Sequence, residues 1–235
     1  MKRRPRPAVF TAAIKYSVPV LLGYLAIGVA FGLLLSDAGY PWPLALAMSV
    51  IMYAGAGQYI AVGLFAAGAG LWEACLVQLV VNARHMAYGL SMLKRFKKAG
   101  IYKYYLIFAL TDETFALLSS LPDELTADTG EGNRGRFMFY VALLDHLYWV
   151  AGSVIGAVVG AVIPFDMEGI GFALTALFIV LMIEQILRVR KPGIFIIAAA
   201  AAVLAVFLLP GRVSLLSAMA LSLALAALPG KGRGS

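Results

Sequence analysis

Long apolar stretches separated by short polar breaks run along almost the whole chain. Eight stretches can be marked, at about 13–36, 44–70, 71–93, 104–121, 137–163, 169–187, 193–209 and 213–228. Most of them approach or exceed the roughly 20 apolar residues that an α-helix needs to cross a bilayer. The pattern predicts an all-α polytopic membrane protein with seven or eight apolar segments. We interpret residues 1–235 as a single membrane domain.

Composition agrees with a lipid environment. Of the 235 residues, 62% are hydrophobic and 13% are charged, whereas soluble domains have about 45–50% apolar and about 25% charged residues. The net charge of +7 comes from short basic clusters between apolar runs. Such clusters are typical of cytoplasmic loops, so we expect contact with the lipid bilayer and no nucleic-acid partner.

The first six segments suggest two repeats, over residues 13–93 and 104–190. Each set follows a basic stretch, has a glycine-rich middle segment and ends near basic residues. Transporters are often built from such repeats, although glycine-rich helices also resemble one another by chance. The last two segments, over residues 193–228, carry no charge at membrane depth and are interpreted as scaffold helices.

Two basic clusters pose a topological problem. Five Lys or Arg residues lie within the first 15 positions and five more within 94–103. Three crossings between the clusters would put them on opposite sides, whereas the positive-inside rule puts both in the cytoplasm, together with the N-terminus. Segment 44–70 is interrupted by Ala54-Gly55-Ala56-Gly57 and is therefore a candidate broken or re-entrant helix. The alternative is that all segments cross and the rule is violated once.

Ionisable side chains at membrane depth are costly, so each is a candidate for function. They are Arg84, His85, Asp112, Glu113, Asp145, His146 and Glu184. Two polar side chains on glycine-rich or polar helix faces, Gln58 and Asn82, extend the candidate substrate or proton pathway.

Arg84 precedes Lys94 by ten residues, which is about 15 Å along a helix and close to mid-bilayer. It could form a buried pair with Asp112, Glu113 or Glu184, or it could clamp a substrate carboxylate. Adjacent Asp112 and Glu113 point about 100° apart and do not easily share one partner. One could then be structural while the other binds a proton or an ammonium group.

We favour Asp112 as the structural carboxylate, because its face also carries Phe108, Phe115 and Ser119. Asp145 could pair with a basic group. His146 could titrate near neutral pH, or it could be a hydrogen-bonded packing residue. The glycines of Gly28-x-x-x-Gly32 and Gly152-x-x-x-Gly156 are close-packing signals.

Enzyme signatures are missing from the sequence. It contains no phosphate-binding G-x-x-x-x-G-K-[ST], no H-E-x-x-H and no G-x-S-x-G. With one cysteine and two histidines, no catalytic residue, cofactor or metal site is predicted.

Four stretches together carry a family resemblance. They are Tyr53-Ala54-Gly55 with Gln58, Asn82-x-Arg84-His85-x-x-Tyr88-Gly89, Thr111-Asp112-Glu113-x-Phe115, and the face from Trp149 to Gly156. Over roughly residues 13–190, the chain resembles the AzlC-type large subunit of bacterial branched-chain amino acid exporters, the azaleucine-resistance family. The Ala-Gly-Gln sequence around Gln58 is a mild departure from the small-Ala-Gln that is usual there.

The resemblance implies a permease in the bacterial inner membrane that exports leucine, isoleucine, valine or analogues with the proton gradient. It also implies a small AzlD-type membrane partner. The residues alone indicate a polytopic transporter with a polar site at mid-membrane. They leave open a channel-like pore for a small solute, a membrane-embedded enzyme that uses Asp112 and Glu113, or a structural subunit whose partner transports.

In the transporter interpretation, Arg84 or the backbone at Gly55–Gly57 binds the substrate carboxylate. Asp112 or Glu113 binds the ammonium group or carries the proton. Aromatic residues accept the aliphatic side chain: Tyr53, Phe115 and Trp149.

Overall fold

The computed structural model describes residues 9–121, 131–163 and 192–208, together with positions 179, 182–183, 186–187 and 217. The regular structure in these ranges is helical, as the apolar pattern predicts. The helices are α1 (Val9–Asp37), α2 (Trp42–Ile51), α3 (Gly55–Ala66), α4 (Leu71–Phe96), α5 (Tyr102–Phe108), α6 (Asp112–Ser119), α7 (Glu131–Val162) and α8 (Pro192–Leu208), with a 3₁₀ turn at Lys97–Ala99.

Two of these helices, α1 and residues 134–162 of α7, are long and apolar enough to cross a membrane. The chain divides into two compact units, Met1–Ala173 and Leu174–Ser235. The first unit holds the candidate site, and α8 belongs to the second. Apart from the single positions given above, the predicted segments 169–187 and 213–228 lie outside the described residues, as does the candidate Glu184.

Helices α1 and α7 run in parallel along a seam of small residues. A Cβ atom at Gly28 would lie 3.1 Å from the backbone of Ser153, and one at Gly152 would lie 2.9 Å from the carbonyl of Leu25. Small residues spaced four apart let two helix backbones approach this closely. The predicted close-packing role of the glycines is therefore confirmed.

Helices α2 and α3 form a hairpin that begins and ends beside the C-terminal end of α1. Tyr40, just before α2, contacts Phe65 near the end of α3, with ring centroids 5.3 Å apart. Between the helices, Tyr53 lies 6.5 Å from Tyr24, near the middle of α1. Segment 44–70 is interrupted, as predicted, but the helix break falls at residues 52–54, and Gly55, Ala56 and Gly57 form the first turn of the second helix. The two halves of the segment run in opposite directions, and its re-entry into a membrane stays a prediction.

Helix α5 starts a second hairpin at the opposite end of the unit. Its ring contacts advance along α7: Tyr102 lies 4.9 Å from Phe139, and Phe108 lies 5.8 Å from His146. Helix α5 therefore runs parallel to α7 towards mid-depth. There it meets the tip of the first hairpin, since Phe108 lies 6.4 Å from Tyr53.

Helix α6 returns towards the end at which α5 began. Tyr24 donates a hydrogen bond to Glu113 at the start of α6 (2.8 Å). Tyr16, two turns earlier in α1, donates to the carbonyl of Leu117 (3.5 Å). Segment 104–121, marked as one stretch in the sequence, is thus broken at residues 109–111. Phe108 and Asp112 belong to different helices, so the predicted common face of these two residues is wrong.

Both hairpins return to the end at which they enter, so α1, α4 and α7 are the helices of the first unit's described residues that run from end to end. Helix α4 returns the chain to the N-terminal end of α1. There, the guanidinium of Arg95 donates to the carbonyl of Ser119 (2.9 Å). The start of α1 and residues 97–100 therefore lie at one end, the arrangement that the positive-inside rule favours. The interrupted segments are the second and the fourth, while the two-repeat plan stays a prediction.

Candidate functional site

An ion pair joins α4 to the start of α6. Nη1 of Arg84 lies 2.7 Å from Oδ2 of Asp112, and the two side chains are 27% and 19% exposed. The hydroxyl of Tyr88 donates to Oδ1 of the same carboxylate (2.5 Å). Of the pairings that the sequence left open for Arg84, the structure forms the one with Asp112. The Nε of Arg84 is buried and has no hydrogen-bond partner among the described residues.

The break before α6 places both carboxylates in the first turn of a helix. Thr111 is the N-cap, and its hydroxyl accepts a hydrogen bond from the backbone N–H of Thr114 (3.2 Å). Such caps satisfy one of the free N–H groups at a helix start. Acidic side chains in the first turn also interact favourably with the helix dipole. Local sequence therefore both starts α6 and orients Asp112 and Glu113.

Glu113 points towards α1 rather than α4. Its Oε2 accepts a hydrogen bond from the hydroxyl of Tyr24, and the side chain is half-buried. The same Tyr24 hydroxyl forms a short hydrogen bond with the hydroxyl of Thr111. The adjacent carboxylates therefore have different partners, as their angular separation requires.

Asp145 of α7 is fully buried. Its Oδ2 accepts a hydrogen bond from the hydroxyl of Thr114 (2.9 Å), and its Oδ1 has no hydrogen-bond partner among the described residues. The sequence suggested a basic partner for Asp145, whereas the described partner is a neutral hydroxyl. Burying a charged carboxylate without a counter-ion is costly, so this position is a candidate for holding a proton.

His146 is hydrogen-bonded on both sides. Its Nε2 lies 3.0 Å from the carbonyl of Ser49, and its Nδ1 lies 2.8 Å from the hydroxyl of Tyr105. Because a carbonyl only accepts, we assign the proton to Nε2 and let Tyr105 donate to Nδ1. The ring also stacks on Tyr53 at 4.1 Å. This geometry favours the packing interpretation of His146.

Gln58 has a similar packing role at the tip of the first hairpin. Its Oε1 accepts from the indole N–H of Trp149 (2.8 Å), and its amide donates to the hydroxyl of Ser49 (3.1 Å). Trp149 and Tyr53, proposed to accept a substrate side chain, are both buried within these contacts.

Asn82 and His85 extend the polar face of α4. Gln78 donates to the carbonyl of Gly57 (2.8 Å), and Asn82 donates to Gln78 (2.9 Å). The Oδ1 of Asn82 is buried and has no hydrogen-bond partner in the described ranges. His85 lies beside Tyr88, with ring centroids 6.0 Å apart, and so borders the ion pair.

The structure thus gathers Arg84, Asp112, Glu113 and Asp145 around the start of α6. Sequence reasoning missed Tyr24 and gave no role to Thr111 or Thr114. Tyr24 precedes Gly28 by four residues on the seam face of α1, so a polar residue on a close-packed stripe could have drawn attention to it. The described residues contain no cluster of three or more His, Cys, Asp or Glu that could hold a metal ion.

Comparison with known proteins identifies related sequences. The profile of the AzlC protein family matches residues 19–163. The branched-chain amino acid transport protein AzlC of Bacillus subtilis is 37% identical over 190 residues, which cover 81% of this chain and 73% of that protein. An uncharacterized membrane protein of Helicobacter pylori is 46% identical over 179 residues, with 76% of each chain covered. Inner membrane protein YgaZ of Escherichia coli is 32% identical over 212 residues, covering 86% and 82%. No solved structure matches.

Proposed function

Because the chain belongs to the AzlC family, a family of membrane transport proteins rather than enzymes, we propose that it exports branched-chain amino acids across the bacterial inner membrane. It acts as the large subunit of a two-component permease and couples export to the proton gradient. Its N-terminus lies in the cytoplasm. The small partner is an AzlD-type membrane subunit.

The Arg84–Asp112 pair is the observation that supports this proposal most directly. A zwitterionic amino acid needs a cation for its carboxylate and an anion for its ammonium group. Arg84 has donors beyond the one that binds Asp112, while neighbouring Glu113 supplies a second carboxylate. Arg84 of α4 and the two carboxylates in the first turn of α6 therefore match both ends of the substrate.

The neighbouring aromatic residues suit an aliphatic side chain. Phe115 stacks on Tyr88 with ring centroids 4.4 Å apart, and both residues are half-buried. Tyr88 also donates a hydrogen bond to Asp112, so the aromatic wall that Tyr88 and Phe115 form lies beside the charged groups. We assign the substrate side chain to this wall rather than to the buried Tyr53 and Trp149.

Counterflow of labelled leucine tests the proposal. The full chain is reconstituted in proteoliposomes with and without the small partner, and exchange of internal unlabelled leucine for external labelled leucine is measured. We expect exchange with the partner, little exchange without it, and loss of exchange in Arg84→Gln. Full exchange by this chain alone would contradict the two-component arrangement.

Competitors of leucine that lack one of its two charges test whether the site binds both ends of a zwitterion. Leucine carries both charges, 3-methylbutylamine lacks the carboxylate, and 4-methylpentanoate lacks the ammonium group. If Arg84 and the carboxylates bind the two ends, neither analogue competes as well as valine or isoleucine. Equal competition by all four would argue against recognition of a zwitterion. A rate of leucine flux that does not change when a pH gradient is imposed would favour the channel-like alternative.

A further inference from the structure

Two carboxyl groups in the first unit are joined by an unbroken chain of hydroxyl groups. Glu113 is hydrogen-bonded to Tyr24 (2.8 Å), and Tyr24 is hydrogen-bonded to Thr111. Thr111 then bonds Thr114 (3.1 Å), and Thr114 bonds Asp145 (2.9 Å). The three linking hydroxyls are buried. This series of hydrogen bonds therefore leads from the half-buried carboxyl of Glu113, beside the ion pair, to the fully buried carboxyl of Asp145.

We propose that this series of hydrogen-bonded hydroxyl groups is a proton relay through which Asp145 receives the proton of Glu113 when substrate binds. The inference rests on the proton coupling proposed above and adds the path that the proton takes. It makes Tyr24, Thr111 and Thr114 positioning and relay residues, none of which the family match assigns.

The relay has two states that differ by the position of one proton. In the first, protonated Glu113 donates to Tyr24, and each hydroxyl donates to the next until Thr114 donates to ionised Asp145. In the second, every donor is reversed: protonated Asp145 donates to Thr114, and Tyr24 donates to ionised Glu113. Conversion breaks one O–H bond and forms one at each of the three hydroxyl oxygens, while Glu113 loses its O–H bond and Asp145 gains one. No hydrogen bond of the chain is lost, and the total charge does not change.

The ionisable groups that surround the relay fit a transfer linked to substrate. Arg84 and Asp112 lie close enough to Glu113 to interact with its charge. Tyr53 and Tyr105 lie close enough to Asp145 to interact with its charge. A substrate ammonium group stabilises the ionised form of Glu113 and so favours transfer to Asp145. Loss of substrate reverses the preference. Proton and substrate thus compete for Glu113, and the proton that substrate displaces passes to Asp145.

Two substitutions interrupt the relay without changing side-chain size much. Thr114→Val removes the hydroxyl next to Asp145, and Thr114→Ser keeps it. Tyr24→Phe removes the hydroxyl next to Glu113. Its matched control is Tyr59→Phe, because Tyr59 donates to the carbonyl of Ile27 (2.7 Å) outside the relay.

The experiment compares driven transport with exchange in everted membrane vesicles that contain the full chain and its small partner. Leucine uptake driven by an imposed pH gradient needs the relay, whereas leucine counterflow at equal pH does not need net proton movement. We expect Thr114→Val and Tyr24→Phe to lose driven uptake and leucine-induced proton release, and to lose far less counterflow. Thr114→Ser and Tyr59→Phe should behave like the unchanged protein. Membrane abundance corrects each rate for folding.

Two other outcomes are separable. If the unchanged protein shows no gradient-driven uptake, the proposed coupling fails and the relay fails with it. If the unchanged protein is driven by the gradient, and Thr114→Val and Tyr24→Phe reduce driven uptake no more than counterflow, the relay is overturned while the coupling stands.

Discussion

At the residue scale, the adjacent carboxylates Asp112 and Glu113 have different partners. Asp112 is bound by the cation of Arg84 and the phenol of Tyr88, whereas Glu113 accepts a hydrogen bond from the phenol of Tyr24. Removing one charge of a buried pair typically costs about 3–5 kcal/mol. We expect a smaller cost at Asp112, because this pair is partly exposed.

Replacing each carboxylate should therefore cause a different defect. Asp112→Asn leaves Arg84 without its counter-ion, so we expect reduced membrane abundance, partly restored in the Arg84→Gln/Asp112→Asn double variant. Glu113→Gln can still accept from Tyr24, so we expect normal abundance without pH-driven transport. Quantitative immunoblotting with driven leucine transport checks both. Near-normal driven transport in the two single variants would remove these carboxylates from the mechanism.

Some of these contacts were predictable from residue types and spacing, and others were not. Arg84 and Asp112 are costly groups at similar depth, so the sequence offered their pairing as one of several alternatives, and the fold selects it. The partner of Asp145 did not, because Thr114 is uncharged and joins α7 only once the second hairpin is folded. Tyr24 was also not predicted, because an isolated tyrosine in an apolar helix resembles an ordinary packing residue.

At the element scale, the seam between α1 and α7 depends on the absence of side chains. A Cβ atom at Gly156 would overlap the backbone of Val29, and backbone cannot rotate away as a flexible side chain can. The Gly-x-x-x-Gly packing could be predicted from the sequence, because small residues at this spacing commonly let two helix backbones approach closely.

Gly156→Ala should therefore destabilise the protein. Overpacking costs typically about 1–3 kcal/mol, and we expect a lower melting temperature in detergent together with lower abundance. The matched control is Gly63→Ala in α3, where no atom lies within 4 Å of the added methyl. A glycine replaced by alanine inside an exposed helix gains roughly 0.5–1 kcal/mol. Equal melting temperatures for the two variants would contradict the seam.

At the scale of the whole molecule, the two hairpins determine which helix ends of the first unit lie on the same side. The sequence predicted one re-entrant segment from its basic clusters and its glycine-rich interruption. The second break was not predicted, because residues 109–111, Ala-Leu-Thr, contain neither glycine nor proline. The N-cap at Thr111 stabilises this break, together with the tertiary contacts of Tyr24 with Thr111 and of Asp145 with Thr114.

Single cysteines placed in a Cys75-free background test this arrangement. We expect cysteines at positions 97 and 120 to react from the cytoplasmic side, because the ends of α4 and α6 meet there. A cysteine at position 37, at the far end of α1, should react with an impermeant reagent from outside the cell. If segment 104–121 crossed the membrane, the cysteine at 120 would be labelled from the opposite side to that at 97.

The parallel seam of α1 and α7 also has a consequence for biosynthesis. Ser17 and Tyr148, which bond across it, are 131 positions apart. At about 5–20 residues per second, α1 waits on the order of ten seconds for its partner to be synthesised. During that interval the polar tip around Gln58 lacks Trp149. A product truncated before α7 therefore leaves these polar groups without partners, and we expect membrane proteases to degrade it.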